Sequence, residues 1–221
     1  MDVIYACTDI GDRAENLDRL GHIDGLHWSV SYVLDGFYPS EPHFVDSLQK
    51  SINDSFIPFI KSEIDNDKFI TIMSDALANA EGEGKASVGL LGHLFDDVII
   101  MTSGDTRIYF IDEKTRTTDH SKAQEMINSG RSPATSLHIH PYRRYLTKSI
   151  NEKSDIHDFD IEFKKNEGDV LICSDGFWSS FNSDDEIFSI NSKRSSEQCF
   201  LKAQKAKPGK ADNLTMLYLS Q

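Results

Sequence analysis

Strand-like segments open and close this chain, and two consecutive helical stripes interrupt them once, between residues 44 and 80; no other feature constrains the fold as much. Residues 3–8 form an apolar run that stops at Gly11, and residues 27–34 alternate polar and apolar as a half-buried strand does. After Asp35-Gly36 and Pro39, which read as turn residues, the period changes. Phe44, Leu48, Ile52, Phe56 and Ile60 recur at helical spacing, with Pro42 suited to the first turn, and the stripe reads as core packing rather than a partner groove. A second helix is expected over residues 64–80, with Ile70, Met73, Leu77 and Ala80 on one face, ending where Glu81-Gly82-Glu83-Gly84 breaks it. Residues 87–111 read as a meander of hairpins with turns at Asp96-Asp97 and Gly104-Asp105. A short helix at 120–127, strands near 145–150, 159–163 and 170–173, a helix over 195–206 and a last strand at 214–219 complete the pattern. So few strand–helix–strand crossovers imply an α+β fold, with antiparallel sheets packed together and helices outside.

Composition narrows the function classes. The 221 residues suffice for one domain with a sizeable core, without disulfides or structural metal. A formal charge of −13, from 23 basic and 36 acidic residues, excludes nucleic acid and anionic membrane as partners but suits a protein that gathers divalent cations. Cys7, Cys173 and Cys199 are odd in number and form no Cys-x-x-Cys pair, as expected in a reducing compartment. The first residues carry no leader signature, and no run reaches the roughly 18–20 apolar residues of a membrane helix. A cytoplasmic protein is expected.

Four aspartates sit beside turns next to apolar strands: Asp18, Asp35, Asp175 and Asp212. Singly, each fits an ordinary turn dipeptide. Asp175 follows the apolar segment Leu171-Ile172-Cys173 after Ser174 alone, where an unpaired carboxylate is costly, and no basic residue stands near it as a partner. Several such carboxylates converging would bind hard cations such as Mg²⁺ or Mn²⁺.

The order of the motifs resembles the metal-dependent, 2C-type serine/threonine protein phosphatases, particularly their small bacterial members. Thr8-Asp9-Ile10-Gly11 through Arg13 and Asn16-Leu17-Asp18 is similar to the opening motif of that family, and Val33-Leu34-Asp35-Gly36 to its second. Gly104-Asp105-Thr106-Arg107, Asp119-His120, His140-Pro141, Leu146-Thr147-Lys148-Ser149, Gly168-Asp169 through Ser174-Asp175-Gly176, and Asp212-Asn213 follow in the family's order. The resemblance implies an α-β-β-α sandwich, a flap-like segment near 128–140, and a phosphorylated protein as substrate of a monomer opposing a serine/threonine kinase. It also implies two Mn²⁺ or Mg²⁺ ions bridged by Asp35, with the Gly36 carbonyl, Asp175 and Asp212 completing the site and Asp18 close by. Asp105 would join Asp175 around a third, looser ion, and Arg13 would grip the substrate phosphate with its guanidinium fork. Two metals can activate a water for direct attack on the phosphoryl group, so no nucleophilic cysteine is required, and Cys173 reads as a core residue.

Two positions depart from the family pattern. Phe37 stands where many members carry a histidine proposed as general acid, and Leu17 precedes Asp18 where an acidic or amide residue is common. These departures motivate the alternative of a pseudophosphatase, a phosphopeptide-binding or regulatory module; retention of clustered carboxylates argues against it. A two-metal nuclease is excluded by the charge. Gly82-Glu83-Gly84-Lys85-Ala86-Ser87 lacks the first glycine and the hydroxyl residue of a phosphate-binding loop. His138 and His140 would share a face on a strand and could chelate zinc, but a polar surface pair or a His-Pro turn is the better reading. His22 and His27 flank a hairpin and receive no role.

Overall fold

A computed structural model describes residues 1–37, 42–95, 97–165 and 168–221, the side chains of Pro42 and Ser136 excepted. Tyr38, Pro39 and Asp96 therefore lie outside the described residues. Two antiparallel sheets carry the chain. The first runs β1 (Asp2–Asp9), β11 (Leu214–Ser220), β10 (Val170–Cys173), β6 (Arg107–Phe110), β7 (Thr115–Arg116). The second runs β2 (Asp18–Asp24), β3 (Trp28–Phe37), β4 (Lys85–Leu94), β5 (Asp97–Ser103), β9 (Asp160–Lys165), with β8 (Ile150–Asn151) also pairing β4.

Three apolar layers show how these sheets stack. Val33, Leu91, Ile100, Ile108, Ile172 and Leu217 come from both sheets and bury one another between them. On the far face of the second sheet, Tyr32, Leu34 and Leu90 pack against α1 (Pro42–Phe56) and α2 (Asn66–Ala78). On the far face of the first, Tyr109, Leu171 and Met216 pack against α4 (Asp175–Trp178), α5 (Asp185–Phe188) and α6 (Lys193–Ala206). The result is the expected α+β sandwich, helices outside and sheets inside. No helix among the described residues is long and apolar enough to cross a membrane.

The α1 stripe is core as expected: Phe44, Leu48, Ile52 and Phe56 are buried, whereas Ile60 lies past the helix end and is 38% exposed. Asp65 caps α2 by accepting from the Lys68 N–H, and the helix buries Phe69, Ile72, Met73, Ala76 and Leu77; Met73 and Leu77 lie there as expected, while Ile70 and Ala80 are only partly buried. The short helix expected at 120–127 is α3 (Lys122–Asn128), whereas of the strand expected near 145–150 only Ile150, in β8, and an isolated bridge from Leu146 to Ser121 are present.

Two further expectations are overturned. The β3 strand is buried on both faces over Trp28–Leu34, not half-buried, because helices cover one face and the other sheet covers the second. Its serines are tolerated there because they find partners, as Ser31 does with His22 Nδ1 at 2.8 Å. The segment 87–111 is not a continuous meander either. Strands β4 and β5 form a hairpin, but Gly104-Asp105 carries the chain from the second sheet into the first, where β6 pairs β10. That crossing puts Asp105 at the seam between sheets.

Candidate active site

Every expected aspartate comes to one end of the sandwich. Asp18 opens β2 and pairs in register with Asp35 of β3, which in turn pairs with Ser87 of β4. Asp35 and Gly36 are thus strand residues, not a turn. The Asp105 turn is tied to the same place, since Ser87 Oγ accepts from the N–H groups of Asp105 at 2.8 Å and Thr106 at 2.6 Å. Gly104 there has φ +106°, and a Cβ would lie 2.4 Å from Ser87 Oγ, so a side chain would break the tie. From the first sheet, β10 delivers Asp175 to the start of the short α4, and its N–H donates to Asp35 Oδ2 at 3.3 Å. Asp212 enters just before β11.

Asn213 holds the opening segment in place. Its Nδ2 donates to the carbonyls of Ile10 and Glu15, and its Oδ1 accepts from the Leu17 N–H at 2.8 Å. Gly176 lets this loop approach: a Cβ there would sit 1.9 Å from the Asn213 carbonyl oxygen. Behind Asp105 a buried ionic cluster stiffens the wall. Arg107 forks onto Asp119 at 2.7 and 2.8 Å, its guanidinium lies 3.4 Å from the ring centre of Trp178, and Trp178 Nε1 donates to the Asp105 carbonyl at 2.8 Å.

Asp35, Gly36, Asp105, Asp175 and Asp212 line a common cavity of about 430 Å³, together with Arg13, Arg144, Leu17 and Phe37. Asp18 lies behind them, 2% exposed, with no hydrogen-bond partner at either carboxylate oxygen. Burial pushes its pKa up to about 7; the nearby hydroxyls of Ser174 and Thr215 pull it back, and repulsion from Asp175 and Asp212 adds to the rise. Burial, then repulsion from Asp18 and Asp175, holds Asp35 well above the usual carboxylate range. Asp105 is raised well above it by burial and by Asp175.

Three arginines answer part of this charge, contrary to the expectation that Asp175 lacks a basic partner. Asp175 does have a basic partner: Arg143 Nη1 donates to its Oδ2 at 2.7 Å. Arg13, expected to face a substrate phosphate, forks onto Asp212 through Nε at 2.8 Å and Nη2 at 2.7 Å, with Arg144 3.8 Å from the same carboxylate. With these pairs in place, no three His, Cys, Asp or Glu side chains among the described residues are arranged to hold a metal ion. The donor chemistry nevertheless fits a hard cation: the converging side chains offer only oxygen, and the two orphaned oxygens of Asp18 are unmet by protein.

Arg143 was missed because its partner is distant in sequence; the signal at hand was Arg143-Arg144, one residue after His140-Pro141. If it competes with a cation for Asp175, Arg143→Gln should lower the melting temperature without metal, by the equivalent of about 2 kcal/mol for a mostly buried pair. The same variant should gain more from Mn²⁺ than wild type does. Differential scanning calorimetry with chelator and with Mn²⁺ checks both signs.

Of the remaining candidates, Cys173 is core as expected, and His138 and His140 are largely buried rather than a surface pair. Cys173 is buried in the first sheet, and burial pushes its thiol well above the ordinary value, so it is no nucleophile. His138 and His140 belong to a 3-10 helix (Ala134–Ile139) and its cap, not a strand, and their ring nitrogens bond within the protein, to Trp178 O, Ser132 Oγ and the Tyr142 N–H.

No protein-family model matches the sequence, nor does any curated protein. Solved structures do match in fold. The serine/threonine phosphatase Stp1 from Staphylococcus aureus superposes with a TM-score of 0.78 at 18% identity, over 98% of this chain and 94% of that one. The PPM Ser-Thr phosphatase MsPP from Mycobacterium smegmatis, in complex with cacodylate, gives 0.74 at 21% identity over 99% and 98%. The catalytic domain of the serine/threonine protein phosphatase PstP, in complex with two manganese ions, gives 0.70 at 16% identity over 97% and 95%. The chain has the fold of the bacterial PPM (2C-type) serine/threonine phosphatases.

Proposed function

We propose that this chain is a metal-dependent phosphoprotein phosphatase that hydrolyses phosphoserine and phosphothreonine. The observation that carries the reading is the convergence of aspartates from four separate segments on one cavity, with Asp18 of a fifth buried behind them, against their mutual repulsion. Asp18, Asp35, the Gly36 carbonyl, Asp175 and Asp212 would hold two Mn²⁺ or Mg²⁺ ions, with Asp105 and Asp175 available to a third. When bound, such ions acidify water and neutralise charge on the phosphoryl oxygens. The two ions in the PstP structure of the same fold support the assignment.

The chain's own side chains supply the rest. Arg13 and Arg144 stand at the cavity rim, 51% and 60% exposed, where a guanidinium fork can turn from Asp212 to two oxygens of a phosphate. Leu17 and Phe37 narrow the cavity with apolar surface. Phe37 has no proton to give a departing alkoxide, so an alkyl ester must be protonated by water. Phosphate passes to water directly, with no covalent enzyme intermediate. The partner is a phosphorylated protein in the cytoplasm, opposing a serine/threonine kinase, and the chain acts as a monomer.

A second reading rests on the Arg13–Asp212 and Arg143–Asp175 pairs, which occupy two of the carboxylates. They would suit a pseudophosphatase that binds phosphopeptides without turnover. Hydrolysis of p-nitrophenyl phosphate and of a phosphothreonine peptide, with Mn²⁺ and then with chelator, separates the two. The expected result is turnover that chelation abolishes, faster for the aryl ester because nitrophenolate leaves without a proton. Turnover indifferent to chelator would overturn the metal assignment, and Mn²⁺ binding with no turnover of either ester would establish the binding module.

A further inference from the structure

A second cavity, of about 500 Å³, adjoins the acidic one and shares Arg144 with it. Arg143, Arg144, Lys207 and Lys210 line it, and no carboxylate among the described residues does. In a chain with 36 acidic and 23 basic residues, four cations gathered in one concavity run against the composition. Arg143 and Arg144 also face the acidic side, toward Asp175 and Asp212. Lys207 and Lys210 belong to the loop between α6 and β11 and make no ion pair among the described residues. Among the described residues, Lys207 Nζ donates to Ser179 Oγ alone, at 2.9 Å.

That loop is shaped to present them. The Lys210 N–H bonds the Lys207 carbonyl at 3.1 Å, closing a turn through Pro208 and Gly209, whose φ of +71° favours glycine. The cavity's histidines are spoken for, as described above, so its free hydrogen-bonding capacity is cationic. Burial lowers the Lys207 pKa, and repulsion from Arg143 and Arg144 lowers it further, against the pull of Asp175 and Asp212. These cations are held together at a cost that an incoming anion would relieve.

We propose, resting on the phosphatase reading above, that this cavity is a specificity subsite for a second anionic group of the substrate peptide, a carboxylate or a further phosphate flanking the scissile phosphoresidue. Arg144 joins the two sites, so one extended peptide occupies both. The class of substrate is then a phosphoprotein segment with an acidic or multiply phosphorylated flank. A small aryl phosphate fills only the first cavity.

The test compares kcat/KM for phosphothreonine peptides that carry Asp, phosphoserine, Ala or Lys at each position up to four residues on either side. Wild type should prefer an acidic or phosphorylated flank over Lys by about tenfold at low salt, the equivalent of about 1.4 kcal/mol. The preference should fade as salt rises. In the double variant Lys207→Ala, Lys210→Ala it should shrink below about threefold, while p-nitrophenyl phosphate turnover stays within about twofold of wild type. A gain from phosphoserine alone assigns the subsite to phosphate, and a gain from Asp as well assigns it to acidic groups in general. No flank preference in wild type, or one that survives in the double variant, overturns the proposal. Should neither ester be hydrolysed, the phosphatase reading fails on its own, and fluorescence anisotropy of the same peptides decides the subsite. Tighter binding of the acidic peptides, lost in the double variant, supports it; equal binding overturns it.

Discussion

Asp35→Asn should lower Mn²⁺-dependent hydrolysis of p-nitrophenyl phosphate by about 10³-fold or more, measured as kcat at saturating substrate. Asp35 sits at the centre of the acidic cluster: it pairs with Asp18 across β2 and β3, accepts from the Asp175 N–H, and feels Asp18, Asp175, Asp105 and Asp212. An amide keeps its shape but removes the charge that draws divalent ions to the cluster's middle. Metal stabilisation of phosphoryl charge is worth several kcal/mol, and each 1.36 kcal/mol is tenfold in rate. Loss of activity through unfolding is separable, because Asp35→Asn also removes a buried like charge and should leave the metal-free protein at least as stable as wild type. Full activity in this variant would mean that the aspartates meet for some reason other than catalysis.

Much of this arrangement was legible in the sequence, for a physical reason. Asp18, Asp35, Asp105, Asp175 and Asp212 each stand at a strand end or turn, and antiparallel sheets stack their strand ends along common edges, so local pattern carried over to position. The α1 stripe was legible for the same reason: Phe44, Leu48, Ile52 and Phe56 follow the period of one buried face. What escaped depended on the third dimension. The pairing of Arg143 with Asp175 joins residues 32 apart, and nothing local marks which arginine will turn inward. The crossing at Gly104 looks like any glycine-aspartate turn, and only the partner strand distinguishes a hairpin from a change of sheet. Trp28–Leu34 shows alternation, yet both faces are covered, since pattern reports side-chain polarity and not what packs against it. Lys207 and Lys210 share a cavity with Arg143 and Arg144 only because the loop before β11 folds beside them.

Asp18→Asn should raise the stability of the metal-free protein at pH 8 by about 2 kcal/mol, or about 4–8 °C in melting temperature for a chain of this length. Asp18 is buried with both oxygens unpartnered, and its pKa is raised from 3.8 to about 7. Between those values the folded protein keeps a proton that the unfolded chain has released. The group's contribution is therefore full below about pH 4 and is lost as pH rises through about 7. Above that, wild type carries a buried, unsolvated charge, and the neutral amide removes it. The gain stays below the full shift because the buried amide leaves a donor poorly matched, at about 1–3 kcal/mol. Acidification toward pH 5 should close the gap, since protonated aspartic acid is then as neutral as asparagine. Adding Mn²⁺ at pH 8 should close it from the other side: at 100 times its Kd an ion stabilises the wild-type site by about 2.7 kcal/mol, and a variant lacking one carboxylate gains less. Thermal denaturation at pH 5 and pH 8, with chelator and with Mn²⁺, reads all four values. A variant less stable than wild type at pH 8 without metal, or a difference that ignores both pH and Mn²⁺, would show that Asp18 bears no ionic cost in the folded state and leaves no demand for a cation to satisfy.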